Sequence, residues 1–231
     1  MSFNRSINVN VIINFLYKTV VAIKQSLFAP GGLPFPQSAA GRKSETEKEN
    51  IMLTVGDRLP AFNVPVQQGT GALPAGERLT DRDFAGKWKI LFFWPKDFTF
   101  VCPTEIVGYA DLKQDFEDRD AVLIGGSTDT DFVHFAWRRS DDRLAKADFP
   151  WIADNKKELS NALGILHEAE GVPLRATFIV DPENIIQHVT VNGLNVGRNP
   201  QETLRVLDAL QTDELCPCNW QAGEDVLKVA A

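Results

Sequence analysis

Cysteine is scarce in this sequence: three residues, Cys102, Cys216 and Cys218, in a chain of 231. A small secreted domain held by disulfides would carry a denser, even-numbered set, so a reducing cytoplasm is the expected compartment. There, thiols serve catalysis, metal binding or packing more than cross-linking. Basic charge is also short. With 24 Lys and Arg against 31 Asp and Glu the net charge is −7, which argues against nucleic acid or an anionic membrane as the main partner. No run is long and apolar enough to span a bilayer, which takes about 20 apolar residues. The longest, residues 9–28, is interrupted by Asn10, Asn14, Lys18, Lys24 and Gln25. The same interruptions, with no small-residue cleavage site after them, weaken a signal peptide. Histidine is limited to His134, His167 and His188, too scattered to form a metal site or to single one out as a catalytic base.

What is present suits a soluble globular protein, 44% hydrophobic and 24% charged, long enough to bury a full core in one main domain. Residues 1–51 differ from the rest, with a local charge of +3 that leaves −10 for the remainder. They pass through Pro30-Gly31-Gly32-Leu33-Pro34-Phe35-Pro36 into a polar run at 42–50 with no burying pattern. We read 1–51 as a mobile extension, or as upstream sequence from a misplaced start, since Met52 opens a segment resembling a natural amino terminus. An amphipathic targeting or membrane-surface helix over 11–28 ranks lower, because its basic residues are few. Residues 52–211 are then the main domain and 212–231 a carboxy-terminal tail.

Within the main domain the aromatic, apolar run at 88–94 and the similar runs at 121–125 and 176–180 suit buried strands. Helical patterns lie at 103–119, where Ile106, Tyr109, Ala110 and Phe116 share a face, and at 130–139 and 156–163. The turn Asp181-Pro182-Glu183-Asn184 leads to a hairpin partner at 185–191. A last helix over 200–210 starts with Pro200, where the missing N–H does no harm. Strands alternating with helices imply an α/β layered domain, and no internal repeat is present.

The chemistry concentrates in Trp94-Pro95-Lys96-Asp97-Phe98-Thr99-Phe100-Val101-Cys102-Pro103-Thr104-Glu105, which runs from a strand end into a helix start. With Pro103 in the first turn, Cys102 meets the unpaired N–H groups and positive dipole end that stabilise a thiolate. Thr99, three residues earlier, can direct a hydroxyl to the same point. An isolated cysteine would read as a small buried hydrophobe, but this setting argues for a nucleophile.

The pattern Pro95-x3-Thr99-x2-Cys102, continued by Pro103-Thr104-Glu105, resembles the active-site signature of the peroxiredoxins. The likeness runs from about Leu53 to Trp220, and its tail resembles the alkyl hydroperoxide reductase C group of typical two-cysteine peroxiredoxins. The resemblance implies a thioredoxin-like α/β fold, a central mixed β-sheet flanked by helices, and a peroxidase that uses no cofactor and no metal. Cys102 then matches the peroxidatic cysteine, Pro95 shields it and Thr99 hydrogen-bonds the peroxide. Arg175, in Pro173-Leu174-Arg175-Ala176-Thr177, matches the active-site arginine; by position alone it could equally be an ordinary salt-bridge residue. Glu105 and Arg198 match a charged network behind it, and Trp137 a position near the pocket, where a purely packing role is the plainer reading. In Cys216-Pro217-Cys218 the first cysteine matches the resolving one. Cys218 departs from the commoner pattern and is a second resolver, a relay to a reductant, or dispensable.

The same resemblance implies hydroperoxide substrates and an intersubunit disulfide between Cys102 and Cys216 of a homodimer, with a ring of dimers as a further assembly. The chain has no Cys-x-x-Cys, so an outside dithiol must reset it: thioredoxin, a flavoprotein disulfide reductase or a lipoyl-linked protein. Overoxidation-sensitive members carry a Gly-Gly-Leu-Gly insertion and a Tyr-Phe tail; here Ser140-Asp141-Asp142-Arg143-Leu144 and a short end follow instead, so fast resolution is expected. Two other classes stay open: a thioredoxin-like holdase, and a protein disulfide oxidoreductase, against which Thr99 stands where the first cysteine of Cys-x-x-Cys would be. A zinc site from the cysteines and a histidine is weak, since the usual ligand spacing is missing.

Overall fold

The computed structural model describes residues 51–69 and 73–228. The expected extension, with its 11–28 segment, therefore lies outside the described residues except for Ile51. Seven strands form one mixed sheet: β1 (Asn63–Gln67), β2 (Arg78–Thr80), β3 (Trp88–Phe93), β4 (Ala121–Ser127), β5 (Trp151–Ala153), β8 (Arg175–Val180) and β9 (Ile186–Asn192), in the order β2-β1-β5-β4-β3-β8-β9. Strands β3, β4 and β5 run parallel and the remaining pairings are antiparallel. A separate hairpin joins β6 (Leu166–His167) to β7 (Val172–Pro173). The helices are α1 (Cys102–Asp111), α2 (Lys113–Glu117), α3 (Asp131–Ser140), α4 (Glu158–Ala162) and α5 (Pro200–Gln211), with a 3-10 turn at Asp142–Lys146.

Central strands buried on both faces read as unbroken apolar runs, and β3 does so for that reason. Ile90 and Phe92, with Trp94 just beyond, enter a core shared with Ile106 and Tyr109 of α1, Phe116 of α2, Trp137 of α3 and Leu207 of α5. Leu91 and Phe93 enter the opposite core with Leu159 of α4 and Val64 and Val66 of β1. Each such fully buried side chain contributes about 1.5–3 kcal/mol. Gly125 in β4 makes room for this packing, because a Cβ there would stand 2.6 Å from the Trp94 ring.

The central mixed sheet flanked by helices is the expected architecture, and its inner strands and last helix fall where expected. Asn199 caps α5 through Oδ1, which accepts from the N–H groups of Gln201 and Glu202. The helix expected over 103–119 instead breaks at Leu112, whose N–H turns to the carbonyl of Tyr109 in a tighter i to i−3 bond. The helix expected over 156–163 contracts to α4, entered through Lys157 at φ +62°. Asp154 receives its first N–H groups from Leu159 and Ser160. Strands β1, β2 and β5 were beyond sequence reach because they are short and gain their pairing only in the sheet. Pro65 is tolerated in β1 because the strand pairs with β2 over residues 63–65 and with β5 only at Val66 and Gln67.

Candidate active site

Strand β3 ends at Phe93, and the following loop returns toward the sheet to start α1 at Cys102. The helix includes Cys102 as its first residue and Pro103 as its second, one position earlier than the sequence suggests. Val101 provides the first carbonyl, accepting from the N–H of Thr104 at 3.0 Å, but no side-chain cap. The N–H groups of this first turn and the helix dipole therefore face the position of the sulfur. Phe98 adopts a left-handed φ of +55°, which reverses the loop so that Thr99 faces Cys102.

The Cys102 side chain is 1% exposed at the base of a cavity of about 220 Å³. Pro95, Thr99, Phe100, Val172 and Leu194 line it, with Lys96 and Glu170 paired at 3.4 Å. The Thr99 hydroxyl lies 3.0 Å from Sγ and 2.9 Å from the carbonyl oxygen of Lys96. With one hydrogen, it donates either to the carbonyl, leaving its lone pairs for a thiol or peroxide O–H, or to a thiolate.

On the other side of Sγ, Nη1 of Arg175 stands 3.4 Å away and donates to Oε2 of Glu105 at 2.5 Å. Its Nε donates to the carbonyl of Leu194 at 2.8 Å, fixing the guanidinium plane. Oε1 of Glu105 accepts from the backbone N–H and Nε of Arg198 at 3.0 and 2.8 Å. Arg198 also donates to the carbonyl of Ala176 and lies 5.4 Å over the Phe92 ring. Two guanidiniums share one carboxylate, so one positive charge remains in excess beside the sulfur. In a buried site such a charge acts far more strongly than in water.

The fold thus brings together Cys102, Thr99, Pro95, Arg175, Glu105 and Arg198, drawn from the 95–105 stretch, β8 and the loop after β9. Trp137 is not part of the cavity lining; it packs below the loop against Phe98, ring centroids 5.9 Å apart. Cys216 and Cys218 sit beyond α5, and all three cysteines are free thiols. Cys216 is half-buried, 3.4 Å from the Thr212 hydroxyl, and Cys218 is exposed. The tail is fastened by Trp220, 4% exposed, whose carbonyl accepts from Arg205. Sequence reasoning missed Asp97 and His134 beneath the loop and the Leu194 carbonyl. For Asp97, an acidic residue three positions after Trp94, whose indole N–H needs an acceptor when buried, was the available signal. Among the described residues, no cluster of His, Cys, Asp or Glu is arranged to hold a metal ion.

A thioredoxin-like sheet that presents a buried thiol at a helix start, between a hydroxyl and a guanidinium, defines the class of thiol peroxidases. Comparison with known proteins narrows this. The profile of the AhpC/TSA family matches residues 55–189. Alkyl hydroperoxide reductase C of Mycolicibacterium smegmatis is 50% identical over 185 residues, 76% of this chain and 94% of that protein. The enzyme of the same name from Mycobacterium tuberculosis is 49% identical over 184 residues, 76% of this chain and 94% of its own. The solved structure of Mycobacterium bovis AhpC superimposes with a TM-score of 0.68 at 49% identity, covering 74% of this chain and 99% of that one. Reduced Plasmodium vivax 2-Cys peroxiredoxin superimposes at 0.71 with 32% identity, covering 76% and 93%. The chain belongs to the AhpC/TSA family and is a peroxiredoxin.

Proposed function

We propose that Cys102 is the peroxidatic thiol of a cycle that reduces hydrogen peroxide and organic hydroperoxides in antioxidant defence. The observation that carries this is the placement of Sγ between Thr99 Oγ1 at 3.0 Å and Arg175 Nη1 at 3.4 Å, at the base of an open cavity. The thiolate attacks one peroxide oxygen and the O–O bond breaks. The sulfur becomes a sulfenic acid, and the departing oxygen takes a proton to leave as water or an alcohol. Arg175 stabilises the charge that develops on that oxygen, Thr99 orients the O–H and Pro95 keeps water out.

Cys216 of a second subunit then condenses with the sulfenic acid, forming an S–S bond and releasing water. Cys102 is buried and Cys216 half-buried, so the first turn of α1 and the tail must both open for them to meet. The exposed Cys218 is suited to pass the disulfide to an external reductant: thioredoxin, a flavoprotein disulfide reductase or a lipoyl-linked protein. Beyond Ile186, which bonds Gly56 and Asp57, β9 forms an edge of the sheet, which supports pairing with a second copy in a homodimer. The exposed Phe98, Phe100 and Phe132 support assembly of dimers into a ring. The paucity of cysteine supports a cytoplasmic location, and among the described residues no helix is long and apolar enough to cross a membrane.

Stopped-flow reduction of hydrogen peroxide and cumene hydroperoxide tests the cycle in wild type, Cys102→Ser, Cys216→Ser and Cys218→Ser. Cys102→Ser should lose all turnover, and Cys216→Ser should reduce one equivalent and stall as a sulfenic acid. Substantial peroxidase activity in Cys102→Ser refutes the assignment.

A further inference from the structure

Beneath the loop that carries Pro95 and Thr99 lies a buried pair of titratable side chains that the peroxide cycle does not use. Asp97 is 7% exposed and His134, on α3, is fully buried. Oδ1 of Asp97 accepts from Trp94 Nε1 at 2.7 Å, and Oδ2 lies 2.7 Å from His134 Nδ1. The other ring nitrogen, Nε2, is 3.0 Å from the carbonyl oxygen of Ile152 in β5. Both ring nitrogens therefore face acceptors, and an imidazole with one hydrogen satisfies only one of them. The rings of Trp94 and Trp151 pack against it, each with its centroid at 5.6 Å, the first tilted and the second edge-on.

The same loop is tied to the sheet through its backbone. The N–H of Asp97 donates to Asp129 Oδ2 at 2.8 Å, and that oxygen also accepts from the Ser127 hydroxyl at the end of β4. A buried cation nearby, Arg138, stacks 3.8 Å over Trp151 and donates to the carbonyls of Gly69 and Phe149. Burial pulls its pKa down to about 9, opposed by the charges of Asp148 and Asp97. Phe98 follows Asp97 with its left-handed φ of +55°. A non-glycine residue in that region stores about 1–3 kcal/mol and keeps the conformation only when its flanks are held. Asp97 holds one flank, and on the other the Thr99 hydroxyl bonds Lys96.

We propose that the buried, hydrogen-bonded His134–Asp97 pair is a positioning device for the peroxide-binding loop, holding Thr99 and Pro95 in register with Cys102 Sγ. It acts through those residues and touches neither the peroxide nor the sulfur. The inference rests on the peroxidase reading above and deepens it. Resolution requires the loop and α1 to open, whereas attack requires them closed. Loosening the pair therefore slows attack without slowing disulfide formation.

The test is stopped-flow tryptophan fluorescence of the full-length reduced enzyme with hydrogen peroxide. The second-order phase reports attack and the peroxide-independent plateau reports resolution. Asp97→Ala should slow attack roughly 10- to 100-fold, the scale of a catalytic group displaced by about 1 Å, and leave resolution equal or faster. Asp97→Asn should recover most of the lost rate: its Oδ1 still accepts from Trp94 and its amide donates to a singly protonated His134. If Asp97→Ala does not fold, His134→Gln, which can reach Asp97 but not also Ile152, makes the same comparison. Attack within roughly twofold of wild type in the folded Asp97→Ala or His134→Gln enzyme overturns the proposal. So does a proportionate fall of both steps with the melting temperature. Failure of the peroxidase reading is a different result: wild type that consumes no peroxide.

Discussion

Glu105→Gln isolates the charge that joins the two active-site arginines. The side chain is 3% exposed, and its carboxylate receives Arg175 at 2.5 Å and Arg198 at 2.8 Å. Glutamine keeps the shape and one acceptor oxygen, which can still serve the N–H and Nε of Arg198. Its amide then points hydrogens at Nη1 of Arg175, so a donor faces a donor. Two buried guanidiniums remain with no counter-charge. Removing one partner of a buried ion pair costs about 3–5 kcal/mol. In a domain of this size, with about 2–4 °C lost per kcal/mol, the melting temperature should fall by roughly 6–20 °C. Differential scanning calorimetry of the reduced protein measures this, with Glu117→Gln as control. Glu117 pairs with Lys113 at 3.0 Å on the surface, where an i, i+4 pair is worth only about 0.3–0.5 kcal/mol. The rate of peroxide attack should fall with the loss of Arg175 alignment by at least about tenfold. A Glu105→Gln enzyme that melts within roughly 2 °C of wild type would show that the carboxylate does not hold the site together.

Gly164, at φ +70°, faces Met52 so closely that a Cβ would stand 2.4 Å from its Cα. Gly164→Ala should therefore lose at least about 1–2 kcal/mol in urea unfolding, and protease cutting near residues 51–53 should accelerate; unchanged unfolding would contradict the packing. Lys89, 2% exposed, donates to the carbonyls of Lys87 and Asp181, and burial lowers its pKa from the ordinary 10.5. Between its lowered folded value and 10.5 the unfolded chain binds more protons, so wild type should gain stability as pH rises through that window. Lys89→Met should lack this gain, which parallel melts from pH 7 to 10 would reveal; parallel curves for both proteins would refute it. The first turn of α1 lacks a side-chain cap, a contribution of about 1 kcal/mol in most helices, so it should unwind readily and resolve fast. Mass spectrometry should find little sulfinic acid on Cys102 at modest peroxide with reductant present, and rapid accumulation would count against this.

Much of the candidate site was legible because its parts lie close in sequence. Pro95, Thr99, Cys102 and Glu105 fall within one strand-to-helix passage, and local geometry suffices to place a thiol at a helix start. The long inner strands were equally legible, since burial on both faces writes an unbroken apolar run. Short strands carried no such mark, and neither did the break at Leu112, which depends on a tightened turn packed over the core.

Residue types and their local spacing determined the nucleophile, its hydroxyl neighbour and the layered α/β class, because these follow from interactions along a few turns of chain. Tertiary structure alone decided the electrostatics. Arg175 stands 73 residues from Cys102 and Arg198 stands 93 from Glu105, and only the crossing of β8 and the loop after β9 over the start of α1 brings their charges to bear. The role of His134 was equally invisible, since a histidine 37 residues from Asp97 becomes its partner only when α3 packs beneath the loop. Contacts between distant segments carry no sequence spacing of their own; they exist once the sheet order has set which chain ends meet.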